Sequence, residues 1–114
     1  METTLAEEIE LLYAEPGIGA TYTNTYGELN LQNLVAKYRT LAPEEMKEML
    51  AIVESYSLSF DLTASFISVS VLHALGETES VDRAYQWAQK QSDPGMFIQH
   101  YDIGKSLAEY FIAS

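Results

Sequence analysis

Two histidines, His73 and His100, are the first residues in this sequence whose chemistry could support catalysis or metal binding, and the chain has no cysteine. The lack of cysteine excludes a thiolate zinc site, a cysteine nucleophile and a disulfide. His73 lies in an apolar segment, which predicts a hydrogen-bonded histidine in the core or at its edge. His100 and Asp102 are two residues apart, and on a helix this spacing does not turn both side chains toward one site. We therefore expect no metal at either histidine.

The segment Gly17-Ile18-Gly19-Ala20-Thr21 has the glycines of a phosphate-binding loop but not its context. Such a loop follows a strand, precedes a helix and usually ends in lysine. The 17 carboxylates offer many acids and bases, but paired catalytic carboxylates need unequal environments, and these lie on polar helix faces. The sequence therefore predicts a protein that is not an enzyme and needs no cofactor.

The charge balance restricts the partners. Asp and Glu number 17 and Lys and Arg number 6, which gives a formal net charge of −11. This charge repels phosphate backbones and anionic lipids, so we expect no direct contact with nucleic acid or membrane and favour a basic protein as partner. The start, Met1-Glu2-Thr3-Thr4, has no signal-peptide pattern, and no apolar run approaches the roughly 20 residues of a membrane span. A cytoplasmic location is expected.

Apolar residues recur at helical spacing through most of the chain. With 114 residues and a hydrophobic fraction of 47%, we expect one folded helical domain over residues 1–114. Thr4 with Glu7 predicts a helix start, as does Pro43, whereas Gly76 predicts a stop and Thr78 the next cap. The predicted helices are about 4–14, 30–41, 43–55, 61–75, 79–91 and 96–112, with one irregular loop near residues 15–28.

The predicted helix 61–75 has an unusual composition. No charged residue lies between Leu62 and Gly76, and its apolar residues surround the helix on nearly all sides. A helix that is apolar all round must be covered all round. We therefore expect it to form the central pillar of the fold, with its serines bonded to the preceding turn.

A shift of 35 residues partly overlays the sequence on itself. It aligns Leu31 with Phe66 and Tyr101. It also aligns Met46, Met49, Leu50, Ile52 and Val53 with Val81, Ala84, Tyr85, Trp87 and Ala88. A helix–turn–helix unit with this period is typical of an α-solenoid, in which neighbouring hairpins bury one another's apolar faces.

Several short motifs carry a resemblance to a known repeat. These are Ala74-Leu75-Gly76, Val81-x-x-Ala84, Ser92-Asp93-Pro94-Gly95 and Leu107-Ala108-x-Tyr110. With them the segment 61–111 resembles a HEAT-like repeat, and residues from about 30 onward resemble it more weakly. The resemblance implies stacked antiparallel helical hairpins, that is, a short α-solenoid. A tetratricopeptide-like pairing and an ordinary six-helix bundle are the alternatives.

The candidate binding face follows from helical-wheel positions. In stacked hairpins the second helices usually line one concave surface, here the helices 43–55 and 79–91. That surface would carry Glu44, Glu45, Glu48, Glu79 and Asp82, with Ile52 and Trp87 beside them. Tyr22 and Tyr26 lie in the long loop, a common place for recognition residues. The alternatives are a solvated acidic face and a Trp87 that belongs to the core.

In size, charge and lack of catalytic features the chain is similar to small acidic bacterial toxin-immunity proteins. This resemblance implies a cytoplasmic inhibitor that covers the basic cleft of a nuclease-type toxin, with carboxylates in the places of phosphates. The alternative is a general helical-repeat adaptor for protein–protein interaction. Both are protein-binding functions without catalysis.

Overall fold

The fold is all-α, as predicted. The computed structural model describes residues 4–15, 26–59 and 61–112, and no strand occurs in these ranges. The helices are α1 (Leu5–Ala14), α2 (Glu28–Arg39), α3 (Pro43–Ser57), α4 (Leu62–Ala74), α5 (Thr78–Gln89) and α6 (Pro94–Phe111). Every predicted bound lies within two residues of the observed one. Most of the predicted loop, including the glycine motif 17–21, falls outside the described residues.

Local capping chemistry explains where the helices begin and end. The Thr4 side chain accepts a hydrogen bond from the Glu7 backbone N–H at 3.2 Å, as the sequence predicted. Gly76 has a φ of +74° and directly follows the C-cap of α4, where the left-handed region favours glycine. The prediction that Thr78 caps α5 is wrong, because Glu77 is the N-cap and Thr78 is the first helical residue.

Helix α4 is the central pillar, as predicted. All of its residues from 65 to 72 are buried, and it packs against α2, α3, α5 and α6. Two of its three serines bond to the preceding turn, as predicted: the Ser68 hydroxyl donates to the Ala64 carbonyl and the Ser70 hydroxyl to the Phe66 carbonyl, each at 2.8 Å. The third, Ser65, donates instead to the Ser57 carbonyl of α3 at 2.9 Å. The buried hydroxyls are thereby satisfied, so the helix tolerates burial on every side.

The helix directions follow those of stacked hairpins. Helices α5 and α6 are antiparallel, since Trp87 packs on Phe97 and the Tyr85 hydroxyl donates to Asp102. Helices α4 and α6, the first helices of successive units, run in the same direction. This is seen in Ser65, which contacts Tyr101, and in Ser70, which lies beside Gly104. Helix α2 also reaches α6, which closes the stack into a compact bundle of 41 × 31 × 31 Å.

Burial follows the 35-residue shift. Leu31, Phe66 and Tyr101 are all buried. In the second helices, both members of the pairs Met49–Ala84 and Val53–Ala88 are buried, whereas both members of the pair Ile52–Trp87 are partly buried. These aligned positions therefore occupy equivalent environments in α3 and α5, whereas Met46 is partly buried and its counterpart Val81 is buried.

Candidate functional site

The first half of α3 presents the densest group of predicted binding residues. Glu44, Glu45 and Glu48 are all exposed. Pro43 occupies the first turn, where its missing N–H costs nothing and where the helix dipole favours carboxylates. In the part of the chain that the structure describes, the ion pairs are Lys37–Glu8 and Arg83–Glu54. The three glutamates are therefore outside both ion pairs, and the cation beside them in sequence is the exposed Lys47.

Helix α5 divides its two predicted carboxylates between different surroundings. Glu79 is exposed and lies one helical turn before Arg83, whose guanidinium binds Glu54 of α3 at 2.5 Å. Because residues four apart share a helix face, Glu79 is on the side of α5 from which Arg83 reaches Glu54. Asp82 lies apart from this side, in a hollow of about 250 Å³ that it lines with His73 and Lys105.

The predicted aromatic residues have separate locations. Trp87 is partly buried and packs edge-to-face on Phe97, with ring centroids 5.1 Å apart. Ile52 is likewise partly buried against the core. Tyr26 is 46% exposed, and its backbone N–H donates to the Glu28 carboxylate at 2.8 Å. Tyr22 lies outside the described residues.

A groove between α1 and α3 is the feature that sequence reasoning missed. One hollow, of about 460 Å³, is lined by Ala6, Glu48 and Ile52 among others. A second, of about 290 Å³, includes Tyr13 and the start of α4. Tyr56 lines both. The amphipathic pattern of α1 indicated that it has an apolar face, but nothing in the pattern indicated that α3 is its neighbour.

The histidines are in different environments. A ring nitrogen of His100 lies 2.8 Å from the Met96 carbonyl, and Asp102 accepts from Tyr85, so these two side chains do not converge, as predicted. The predicted hydrogen bond of His73 is not found at Nε2, which is buried without a partner. Within the described ranges, no group of three His, Cys, Asp or Glu is arranged to hold a metal.

Burial shifts the pKa values of several core groups. Desolvation lowers the pKa of His73, and the nearby Lys105 ammonium lowers it further. Desolvation also raises the pKa of Tyr13, Tyr85 and Tyr101, each of which donates or shares a hydroxyl hydrogen bond. These groups are neutral at physiological pH and act as structural contacts.

No family model matches the chain, and no curated protein or solved structure matches it. None of the helices in the described ranges is long and apolar enough to cross a membrane.

Proposed function

We propose that this chain is a non-enzymatic inhibitor, an immunity protein that binds and neutralises a basic, nuclease-type bacterial toxin in the cytoplasm. The observation that carries the proposal is the group Glu44, Glu45 and Glu48, exposed together on α3 and unpaired among the described residues. A net charge of −11 adds a long-range field of the same sign. A cationic protein surface is the natural complement of such a face.

The mechanism is occlusion without bond making or breaking. The cleft of a nuclease holds cations that bind substrate phosphates, and carboxylates on a rigid helix can take the same positions. Electrostatic steering of such a pair raises association rates by about 10- to 1000-fold. Ile52, beside the glutamates, adds apolar contact, and a desolvated apolar centre is what gives a charged interface slow dissociation.

Helix α5 extends the proposed face. Glu79 lies on the side of α5 from which Arg83 reaches Glu54 of α3 in an ion pair. Trp87 and Tyr26 are further proposed contacts with the partner. Asp82 is proposed only as a contact at the edge of this face, because it lines the hollow with His73 and Lys105.

The test is a growth assay in which a basic toxin domain encoded next to this chain is co-expressed with it. Wild type should restore growth, and a variant with Glu44→Lys and Glu48→Lys should not. A control with Asn33→Lys, Gln99→Lys and Glu109→Lys makes the same change in net charge at exposed positions of α2 and α6. This control should still restore growth.

The assay separates the site from the overall charge. If both variants lose protection equally, net charge matters and the α3 face does not. If wild type binds the domain in a pull-down but gives no protection, the chain is an adaptor and not an inhibitor. Circular dichroism of each variant checks that it is folded.

A further inference from the structure

Two hollows share Tyr56 of α3: the larger lies between α1 and α3, and the smaller lies between the end of α1 and the start of α4. We call them together the α1–α3 groove. Tyr56 is the residue that lines both. The ring is held by Tyr13, whose centroid lies 4.8 Å away in an edge-to-face contact. Tyr13 is in turn fixed by a 2.5 Å hydrogen bond between its hydroxyl and Ser68 of α4. Contacts within the fold therefore position the Tyr56 ring.

The lining of the groove combines an apolar floor with small side chains. Ile52 and Tyr56 supply apolar area. Ala6 and Ala51 line one hollow, and Ala14 and Ala64 line the other. Alanine at these positions allows the backbone of an incoming element to approach closely. A depression between two helices is also the shape into which the side-chain ridges of a third helix pack.

The charged side chains that line the two hollows are all carboxylates. Glu48 lines the larger hollow, and Glu10 and Asp61 line the smaller one. Neither hollow is lined by a Lys, Arg or His from the described residues. Lys47, which precedes Glu48 in α3, lines neither hollow, and Lys37 of α2 is paired with Glu8 at 3.0 Å. An occupant with basic residues on both sides of an apolar stripe would match this arrangement.

We infer that the α1–α3 groove is the docking site for an amphipathic helix of the basic partner. Its apolar stripe packs on Ile52 and Tyr56, and its Lys and Arg residues pair with Glu48 and Asp61. This is the helix-in-groove mode of recognition, in which a third helix completes a helical layer. The inference rests on the proposed function and moves the centre of the interface from the exposed face of α3 to its flank beside α1.

The probe is a labelled synthetic helix of Leu, Ala and Lys, with Leu at every third and fourth position and Lys on both sides of that stripe. A scrambled peptide of the same composition keeps the charge without the stripe. Fluorescence anisotropy measures peptide binding to wild type and to two variants. Ala51→Arg places a large side chain in the groove, and Glu48→Lys reverses a charge in its lining. Glu109→Lys, on α6, is the matched charge control.

The inference predicts that wild type binds the amphipathic peptide and not the scrambled one. The dissociation constant should rise by about tenfold or more in Ala51→Arg and Glu48→Lys and stay unchanged in Glu109→Lys. Amide shifts on peptide binding should cluster at Ala6, Ala51 and Tyr56. The inference is wrong if the scrambled peptide binds equally well, if all three variants weaken binding equally, or if the amphipathic peptide does not bind. If the growth assay still shows neutralisation, the proposed function stands without it. If the groove binds the peptide but no toxin is neutralised, the proposed function alone fails.

Discussion

His73 lies where α4, α5 and α6 meet, beside Val81 and Lys105. Its ring makes an edge contact with Tyr85, with the centroids 6.4 Å apart, and its Nε2 atom is buried without a hydrogen-bond partner. The apolar sequence around it predicted a core or edge position. The missing partner could not be predicted, because it depends on side chains that α5 and α6 bring from elsewhere in the chain.

This environment predicts a pH-dependent stability. Burial and Lys105 lower the pKa of His73 below its ordinary value of 6.5, and the opposing effects of Glu109 and Asp102 are smaller. The unfolded chain therefore takes up the proton first. The free energy of unfolding keeps this contribution above pH 6.5 and loses it as the pH falls from 6.5 toward the lower folded pKa.

The measurement is denaturant unfolding of wild type and His73→Phe at a series of pH values. The phenylalanine keeps the ring contact with Tyr85 and removes the titrating group. Wild type should lose stability relative to the variant as the pH falls from 6.5 toward the lower folded pKa of His73. A difference between the two proteins that does not change with pH would contradict the argument.

At the scale of elements, the close approach of α4 and α6 depends on one glycine. A Cβ atom at Gly104 would collide with the Ser70 hydroxyl and lie 3.3 Å from the Phe66 carbonyl oxygen. The uncharged sequence of α4 predicted that neighbours surround it, and the predicted helices were observed. Which helix comes closest was not predictable, since a glycine inside α6 has the same sequence signal whether or not it faces α4.

We expect Gly104→Ala to lower the free energy of unfolding by about 1–3 kcal/mol, as overpacking does. The control, Gly95→Ala, is in the same helix and has its nearest atom, Asp93 Oδ1, at 3.9 Å. It should gain up to about 1 kcal/mol from helix propensity. In a Ser70→Ala background the cost of Gly104→Ala should shrink, because the colliding hydroxyl is gone. Equal stability of the two glycine variants would refute the close-packing account.

At the scale of the whole molecule, the predicted acidic residues are all exposed but do not form one group. The wheel positions of Glu44, Glu48 and Glu79 correctly indicated exposed side chains. The grouping of these residues in space was less predictable. Asp82 lies in the hollow with His73, and the groove beside α1 depends on the contact of Tyr13 with Tyr56, which are 43 residues apart (56 − 13). Periodicity gives the face of one helix and does not identify the neighbour of that face.

The most direct test of the proposed function is the salt dependence of the complex with the basic toxin domain, measured by isothermal titration calorimetry. We predict that the dissociation constant of wild type rises by about tenfold or more from low to high salt, because salt screens exposed charges. The variant with Glu44→Lys and Glu48→Lys should bind the toxin domain weakly at both salt concentrations. A wild-type dissociation constant that is the same at low and high salt would contradict the electrostatic account.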